Sequence, residues 1–311
     1  MTSSSAPGGE SRQALAAGIA CYTIWGFVPL VFQAIGHRGV GPWEILSERI
    51  VWSIPAAAVF VLLAGQARHL AQVLSQPKVL AWLGLSSVLI ALNWVVFIWA
   101  VTSNRLLETS LGYYINPLVN MAAGALIFRE RIDRIGFVAI GLALVGVVFQ
   151  AFALGHLPWV SLVLAFSFAG YGVVRKQVAA DAQTGLLVEC LLLGLPSLAF
   201  IVWLESNGQG HFTQDLPTTL WLIASGPVTA APLVLFAWAA RRIPLSAMGF
   251  LQFIAPTISF VIGLSQGEAF TTARAISFAF IWCGAAVFLY GAWRRSRTAM
   301  RAVQVAEAAA E

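Results

Sequence analysis

The sequence predicts an all-α membrane protein with ten transmembrane helices, arranged as two inverted repeats of five helices. Three observations lead to this fold class: the composition, the spacing of the apolar runs, and landmarks shared by the two halves. Of the 311 residues, 59% are hydrophobic and only 10% are charged, whereas soluble proteins carry about 25% charged residues. A soluble fold of this size keeps about a quarter of its unfolded surface exposed to water. This much apolar surface therefore needs lipid as its solvent.

The apolar runs locate the spans, because each crossing needs about 20 mainly apolar residues. Residues 1–12 are polar, small and rich in Gly and Pro, so we expect a disordered tail. Residues 294–311 begin basic and end rich in Ala and Glu, which fits either a short surface helix or disorder. The predicted spans between the tails are Gln13–Gly36, Glu44–Ala64, Val79–Thr102, Leu107–Phe128, Ile135–Phe152, Pro158–Val174, Gly185–Leu204, Thr218–Ala240, Pro244–Gly267 and Ala275–Trp293.

The Lys and Arg residues predict the orientation of the chain. Cytoplasmic segments carry an excess of positive charge. If the N-terminus is cytoplasmic, 14 of the 18 basic residues lie in segments on the inner side. Only Arg38, Arg49, Arg105 and Arg274 then lie on the outer side. We therefore expect a multi-pass protein of a bacterial inner membrane, with both termini in the cytoplasm and the lipid bilayer as its surroundings.

Several function classes are excluded by the same residues. The basic residues sit in short gaps between apolar runs, whereas a nucleic-acid protein gathers them on one polar face. No Cys/His spacing suits a metal, and we expect no cofactor. No GxxxxGK[ST] motif occurs, so ATP is not expected to drive this chain directly.

An internal repeat is indicated by the fourth and ninth spans. The fourth contains GYYINPLVN (112–120) and the ninth contains GFLQFIAPTISF (249–260). Superposing Pro117 on Pro256 brings Glu130 within one residue of Glu268. Because five is odd, a second copy enters the membrane from the opposite side, as in many secondary transporters. The predicted repeats are 13–152 and 153–293; the alternative is a chance likeness, since Gly, Pro and aromatic residues are common in membrane helices.

Four segments carry a resemblance to a known family. They are LNWVVFIWAV (92–101), LETSLGYYINPLVN (107–120), LAFSFAGYGVVRK (164–176) and MGFLQFIAPT (248–257). In order and spacing they resemble the RarD subgroup of EamA-type transporters, within the drug/metabolite transporter superfamily. The resemblance implies a bacterial permease of two EamA repeats that moves a small-molecule substrate. Relatives in the superfamily move amino acids, other metabolites or drugs, and the family supplies no catalytic motif.

The predicted function is therefore secondary transport by alternating access, with export as the direction that the family favours. A non-transporting membrane scaffold and an intramembrane enzyme are the alternatives. An enzyme of that class usually shows a cluster of His, Asp and Glu or a nucleophile with its base. Here all four histidines lie in loops or at helix ends, so we do not expect an enzyme.

Charged residues in a span are functional candidates, because they are costly in lipid. Glu44, Glu48 and Arg49 begin the second span. One interpretation is an interfacial cluster whose arginine extends outward to the headgroups. The other is a cavity mouth in which Arg49 attracts a substrate carboxylate, and the resemblance favours it because an arginine recurs here in RarD-like sequences.

Polar residues near the midplane are further candidates. Asn93 and Asn116 must face protein or a cavity, so each either joins two helices or contacts substrate. Trp94 and Tyr113 lie nearby and are candidates for a stacking wall. Gln252, in the ninth span, is a weaker lining candidate.

Proton coupling has two candidates, Glu189 and Glu48. Glu189 is the only acid in the seventh span, and the alternative is a structural pairing with Arg175, Lys176 or Arg242. Protons are therefore a candidate partner of the transport cycle.

Three prolines and two rows of small residues complete the predictions. Pro117, Pro196 and Pro256 should kink their helices. Small residues on the fifth and tenth spans allow close packing, as a scaffold or as a dimer face. The oligomeric state is therefore left open between monomer and homodimer.

Overall fold

The fold is described from a computed structural model that covers residues 7–129, 132–240, 242–243 and 251–308. These residues form helices and turns, and no strand occurs among them. Eleven helices lie in the described part of the chain: α1 Pro7–Gly36, α2 Pro42–Leu63, α3 Ala67–Leu74, α4 Pro77–Thr102, α5 Leu106–Phe128, α6 Arg134–Leu154, α7 Trp159–Gln177, α8 Ala182–Ser206, α9 Leu216–Ala240, α10 Ile254–Ser265 and α11 Thr272–Ala308.

The predicted all-α membrane fold is confirmed. Nine of the ten predicted spans each coincide with one helix, and α10 covers the later half of the ninth. The short α3 is the addition that hydropathy did not reveal. Among the described residues, six helices are long enough and apolar enough to cross a bilayer, judged by length and composition alone: α1, α2, α4, α6, α8 and α11. Each covers at least the roughly 20 residues that a crossing requires.

Both predicted tails differ from the structure in part. Helix α1 begins at Pro7, inside the segment expected to be disordered; Pro suits a first helical turn because its missing N–H has no acceptor there. At the other end, α11 continues without a break to Ala308, which corresponds to the helical alternative for residues 294–311. Residues 1–6, Glu130, Arg131, Arg241 and the start of the ninth span (244–250) lie outside the described residues.

The helix pairings show the inverted repeat. Spans five apart in the sequence pack against each other: α2 on α8, α5 on α10, and α6 on α11. The other major pairings come in matched sets. The α1–α9 contact corresponds to α4–α7, the α5–α7 contact to α1–α10, and the α2–α9 contact to α4–α8. This pattern is what a pseudo-two-fold axis in the membrane plane produces.

Helix ends follow local rules. Pro42 and Pro77 stand at the first positions of α2 and α4, where proline is favoured. Asp133 caps α6 by accepting a hydrogen bond from the Gly136 N–H at 2.8 Å. Arg129 ends α5 in the left-handed conformation, with φ of 56°. These residues determine where the helices begin and end, and the loops between consecutive spans are therefore short.

The small residues of the fifth and tenth spans lie in an intramolecular contact. A Cβ on Gly146 would lie 2.9 Å from the Ser277 carbonyl oxygen, and a Cβ on Gly284 would lie 2.9 Å from that of Ala139. The Ser277 hydroxyl also donates to the Gly146 carbonyl at 2.8 Å. On the fifth span the scaffold interpretation is the one found, and α6 and α11 join the two halves at this point. On the tenth span the small residues Ala279 and Cys283 are exposed, so a dimer face there stays a prediction.

The predicted kinks stay predictions. Pro117 and Pro196 lie inside α5 and α8. Pro256 stands in the first turn of α10, directly after a turn at 252–253. Its missing N–H would have bonded the carbonyl of Gln252, which lies in the turn before α10. The helix is thus interrupted at the position where that hydrogen bond is lost.

Candidate functional site

Arg49 is the central charged residue of the candidate site. It lies on α2 and is only 7% exposed. The faces of Trp94 and Phe32 contact its guanidinium, with Cζ 4.2 Å and 5.3 Å from the two ring centroids. Its Nε and Nη1 atoms have no hydrogen-bond partner within the described structure, and no carboxylate among those residues lies within ion-pair distance. The interpretation in which Arg49 extends outward to the headgroups is therefore wrong, since neighbouring helices enclose this side chain.

Aromatic residues surround the guanidinium. Phe97 makes edge-to-face contacts with Phe32 at 6.1 Å and with Tyr113 at 5.8 Å, measured between ring centroids. Trp94 and Tyr113 both pack against the buried cluster that contains Phe32 and Phe97. The structure thus brings the predicted Arg49, Trp94 and Tyr113 together. Sequence reasoning missed Phe32 and Phe97, because an aromatic residue in an apolar run carries no signal of its own.

Asn93 joins two helices. It is 1% exposed, and its amide donates to the Leu164 carbonyl at 2.9 Å and to the Ser167 hydroxyl at 3.0 Å. Its Oδ1 accepts from the Tyr113 hydroxyl at 3.4 Å. The helix-joining alternative is therefore the one found, and through Tyr113 the amide also positions an aromatic wall of the Arg49 site.

Asn116 differs from Asn93 because its Oδ1 is buried without a partner in the described part of the chain. It lies three residues after Tyr113 on α5, so the two share a helix face. Gln252 is half-buried in the turn before α10, rather than within a helix as the sequence predicted. Substrate contact by either residue stays a prediction.

Glu48 leaves one oxygen unpaired. Its Oε2 accepts from the Trp52 indole N–H at 2.9 Å, while Oε1 is buried with no partner in the residues described. The Ser53 hydroxyl is buried and unpaired in the same sense. Glu48, Arg49 and Ser53 thus give α2 three polar groups with unused hydrogen-bonding capacity. Buried polar groups are normally satisfied, so this stretch is a strong candidate for binding.

The loop after α8 covers the first turns of α2. His211 donates its backbone N–H to Glu44 Oε1 at 2.7 Å, and its Nδ1 lies 2.8 Å from Glu44 Oε2. Phe212 stacks on Trp52 with ring centroids 6.0 Å apart. At the end of this loop, Asp215 accepts a hydrogen bond from the backbone N–H of Thr218. This bond holds the pKa of the Asp215 carboxyl below its usual value. The loop therefore contacts Trp52, which in turn holds Glu48.

Both carboxylate oxygens of Glu189 have partners in a buried polar network. It is 2% exposed and accepts from the hydroxyls of Ser86 at 2.5 Å and Tyr171 at 3.3 Å. The Nε of Arg175 lies 3.7 Å from its Oε1. The predicted structural pairing with Arg175 is therefore present, and it joins α4, α7 and α8.

A second repeat signal links the two glutamates. Glu48 lies seven residues before Pro55, and Glu189 lies seven residues before Pro196. Each residue of the first pair is therefore 141 residues before its counterpart in the second. Arg49 and Cys190 then occupy equivalent positions on α2 and α8, two helices that pack against each other. Equivalent helices of an inverted repeat meet across its axis. The helix contact that carries Arg49 therefore lies at the interface of the two repeats, beside the pseudo-two-fold axis.

Comparison with known proteins agrees with this architecture. Residues 12–152 match the model of the EamA-like transporter family. RarD of Escherichia coli K12 is 39% identical over 285 residues, covering 91% of this chain and 96% of its own. An uncharacterized transporter of Vibrio cholerae is 38% identical over 300 residues, covering 94% and 97%. A protein of Pseudomonas aeruginosa named chloramphenicol-sensitive protein RarD is 30% identical over 290 residues, covering 91% and 93%.

The fold itself is shared with a solved crystal structure. It superposes with a TM-score of 0.57 at 19% identity and covers 91% of this chain and 98% of the other. Identity this low supports the fold alone, whereas relatives about 40% identical along nine-tenths of the chain show the family. The chain belongs to the EamA-like transporter family as a RarD-type member, and it is a multi-pass membrane transporter.

Proposed function

We propose that this protein is a secondary transporter that moves small metabolites, such as amino acids or amphipathic drugs, by alternating access between its two repeats. The observation that carries the proposal is the Arg49 guanidinium. It is buried near the pseudo-two-fold axis, covered by aromatic faces, and left with unused hydrogen-bond donors. An uncompensated buried charge is strongly destabilising, so a protein that retains one uses it. A substrate group that pairs with Arg49 would supply the missing partner.

The direction and the topology belong to the same proposal. Both termini are cytoplasmic, on the basis of the 14 to 4 distribution of basic residues. The protein works as an exporter of the bacterial inner membrane, and a gradient drives it, because the sequence has no phosphate-binding loop. It acts as a permease rather than an enzyme, and the name of the Pseudomonas relative is the reason to include amphipathic drugs among the test compounds.

Proton coupling is assigned to Glu48 rather than Glu189. Glu189 is already paired with Arg175 and two hydroxyls. Glu48 has a buried carboxylate oxygen, Oε1, with no hydrogen-bond partner among the described residues, so this carboxyl has a free position at which a proton can bind. A bound proton would reside on the Glu48 carboxyl, one residue from Arg49.

The proposal is tested with purified protein in liposomes. Uptake of amino acids and amphipathic drugs is measured with and without a pH gradient, for the native protein and for Arg49→Gln. Arg105→Gln is the matched control, because its guanidinium also lies over a tryptophan, 4.9 Å from the Trp99 centroid, but on the exposed surface. We expect transport by the native protein and the control, and a loss of at least about tenfold in Arg49→Gln. If no compound crosses in either condition and none raises thermal stability, the protein is not a transporter of these compounds.

A further inference from the structure

The charge balance around Arg49 defines what this site can hold. In the second repeat, the equivalent position is Cys190, a neutral residue. Tyr113, which packs on Phe97 beside the site, carries no formal charge. Glu48 is adjacent in sequence, but its carboxylate is directed to the Trp52 indole. Neither the second repeat nor an ion pair among the described residues compensates Arg49 directly, so its guanidinium charge is left for a ligand to neutralise.

The shape of the site restricts how a ligand approaches that charge. Trp94 and Phe32 contact the guanidinium with their ring faces, so the remaining polar surface is the plane of its N–H groups. A carboxylate is planar and accepts two parallel hydrogen bonds from such a fork. The rings of Phe97 and Tyr113 extend the aromatic wall beyond it. The walls favour a flat apolar body, which gains contact area and stacking from aromatic side chains.

We infer that the site selects substrates with a single carboxylate and a flat apolar body over neutral or cationic molecules of the same shape. This inference rests on the proposed function and specifies its substrate class. The carboxylate pairs with the in-plane N–H groups of Arg49, and the apolar body lies along the aromatic wall. Neutral amphipathic compounds fill the same space without compensating the charge. They therefore bind more weakly.

The test uses matched probes that share one ring system. Indole-3-acetate carries a carboxylate, indole-3-acetamide is its neutral counterpart, and tryptamine is a cation. Binding to the detergent-purified protein is measured by calorimetry at constant ionic strength. We expect the acetate to bind at least about tenfold more tightly than the amide, because hydrogen bonds to charged groups are the stronger class, with tryptamine weakest. The preference should vanish in Arg49→Gln and persist in Arg105→Gln.

Two further measurements keep the result interpretable. If Arg49→Gln does not fold, judged by size-exclusion chromatography, Arg49→Lys keeps the charge without the planar fork and should reduce the preference without reversing it. Equal binding of acetate and amide, or no binding of the acetate, would overturn the inference. Liposome flux separates this result from the proposed function. Flux of neutral amphipaths without a carboxylate preference removes only the inference, whereas binding of the acetate without flux of any compound removes only the transporter proposal.

Discussion

The side-chain amides of Gln33 and Gln266 donate to each other, with both N–O distances at 2.8 Å. Gln33 lies near the end of α1 and Gln266 directly follows α10, so this reciprocal pair joins the two repeats. Its partners come from sequence positions 233 residues apart. Any movement that separates α1 from α10 must break both hydrogen bonds together.

The first prediction concerns the stability of this pair. Gln33→Leu leaves the Gln266 amide without its partner and should lower the free energy of unfolding by about 1 kcal/mol. The double variant Gln33→Leu/Gln266→Leu should recover part of that loss, because no polar group is then left unpaired. Thermal unfolding in detergent measures both. Strictly additive losses would contradict a direct interaction between the two amides.

The second prediction concerns the cost of Arg49 in the empty protein. Arg49→Met removes a buried charge that has no partner and should raise the free energy of unfolding by about 1–3 kcal/mol. The same change should abolish substrate binding. Arg105→Met, at an exposed position, should change stability by less than about 0.5 kcal/mol. A destabilised Arg49→Met protein would show that the arginine is structural rather than retained for ligand.

The third prediction separates the two glutamates. Glu189→Gln breaks the pair with Arg175 and should lower the free energy of unfolding by about 3 kcal/mol, while the pH dependence of transport stays unchanged. Glu48→Gln should flatten that pH dependence with a smaller effect on stability. Flux is compared at several pH values on each side of the liposome membrane. A flattened profile in Glu189→Gln alone would transfer the coupling role to Glu189.

The fourth prediction concerns the loop that covers α2. His211→Ala removes the ring contact with Glu44 while keeping the backbone N–H bond. Since hydrogen bonds to charged groups contribute about 1.5–3 kcal/mol, amide hydrogen exchange in residues 207–215 should become about tenfold faster. His156→Ala is the control, because that exposed ring hydrogen-bonds the adjacent Leu157 carbonyl and no acid among the described residues. Unchanged exchange in His211→Ala would show that Phe212 and Trp52 hold the loop without it.

Much of the fold could be predicted from hydropathy, because lipid leaves few alternatives to a helix. The spans, their number and the two-half organisation follow from this constraint and from shared landmarks. Helix α3 could not be found this way, since its eight residues are too short and too polar to register as a span. The break before α10 was also missed, although Pro256 marked it, because a proline in a membrane helix usually only kinks it.

The site was predicted less completely. A charge in an apolar run identified Arg49, but hydropathy cannot distinguish an arginine that faces headgroups from one enclosed by helices. Phe32 was missed because its contribution depends on packing against Arg49 rather than on its own chemistry. Asn93 shows the opposite error: a buried amide indicates a polar partner, and only the fold shows that α7 supplies it. The shared spacing of Glu48–Pro55 and Glu189–Pro196 was present in the sequence and would have located the axis.

The difference between Arg49 and its counterpart Cys190 has an electrical consequence. In alternating access, the aqueous boundary passes from one side of the central site to the other. In the proposed cycle, with Glu48 protonated, an empty carrier would make this change with a positive charge inside the membrane field, whereas a carrier holding a monoanion would make it electrically neutral at that point. A transmembrane potential contributes about 2.3 kcal/mol per charge per 100 mV, so it acts on the return of the empty carrier and not on the loaded step. Two halves with the same architecture can thereby form a carrier in which the membrane potential favours transport in one direction over the other.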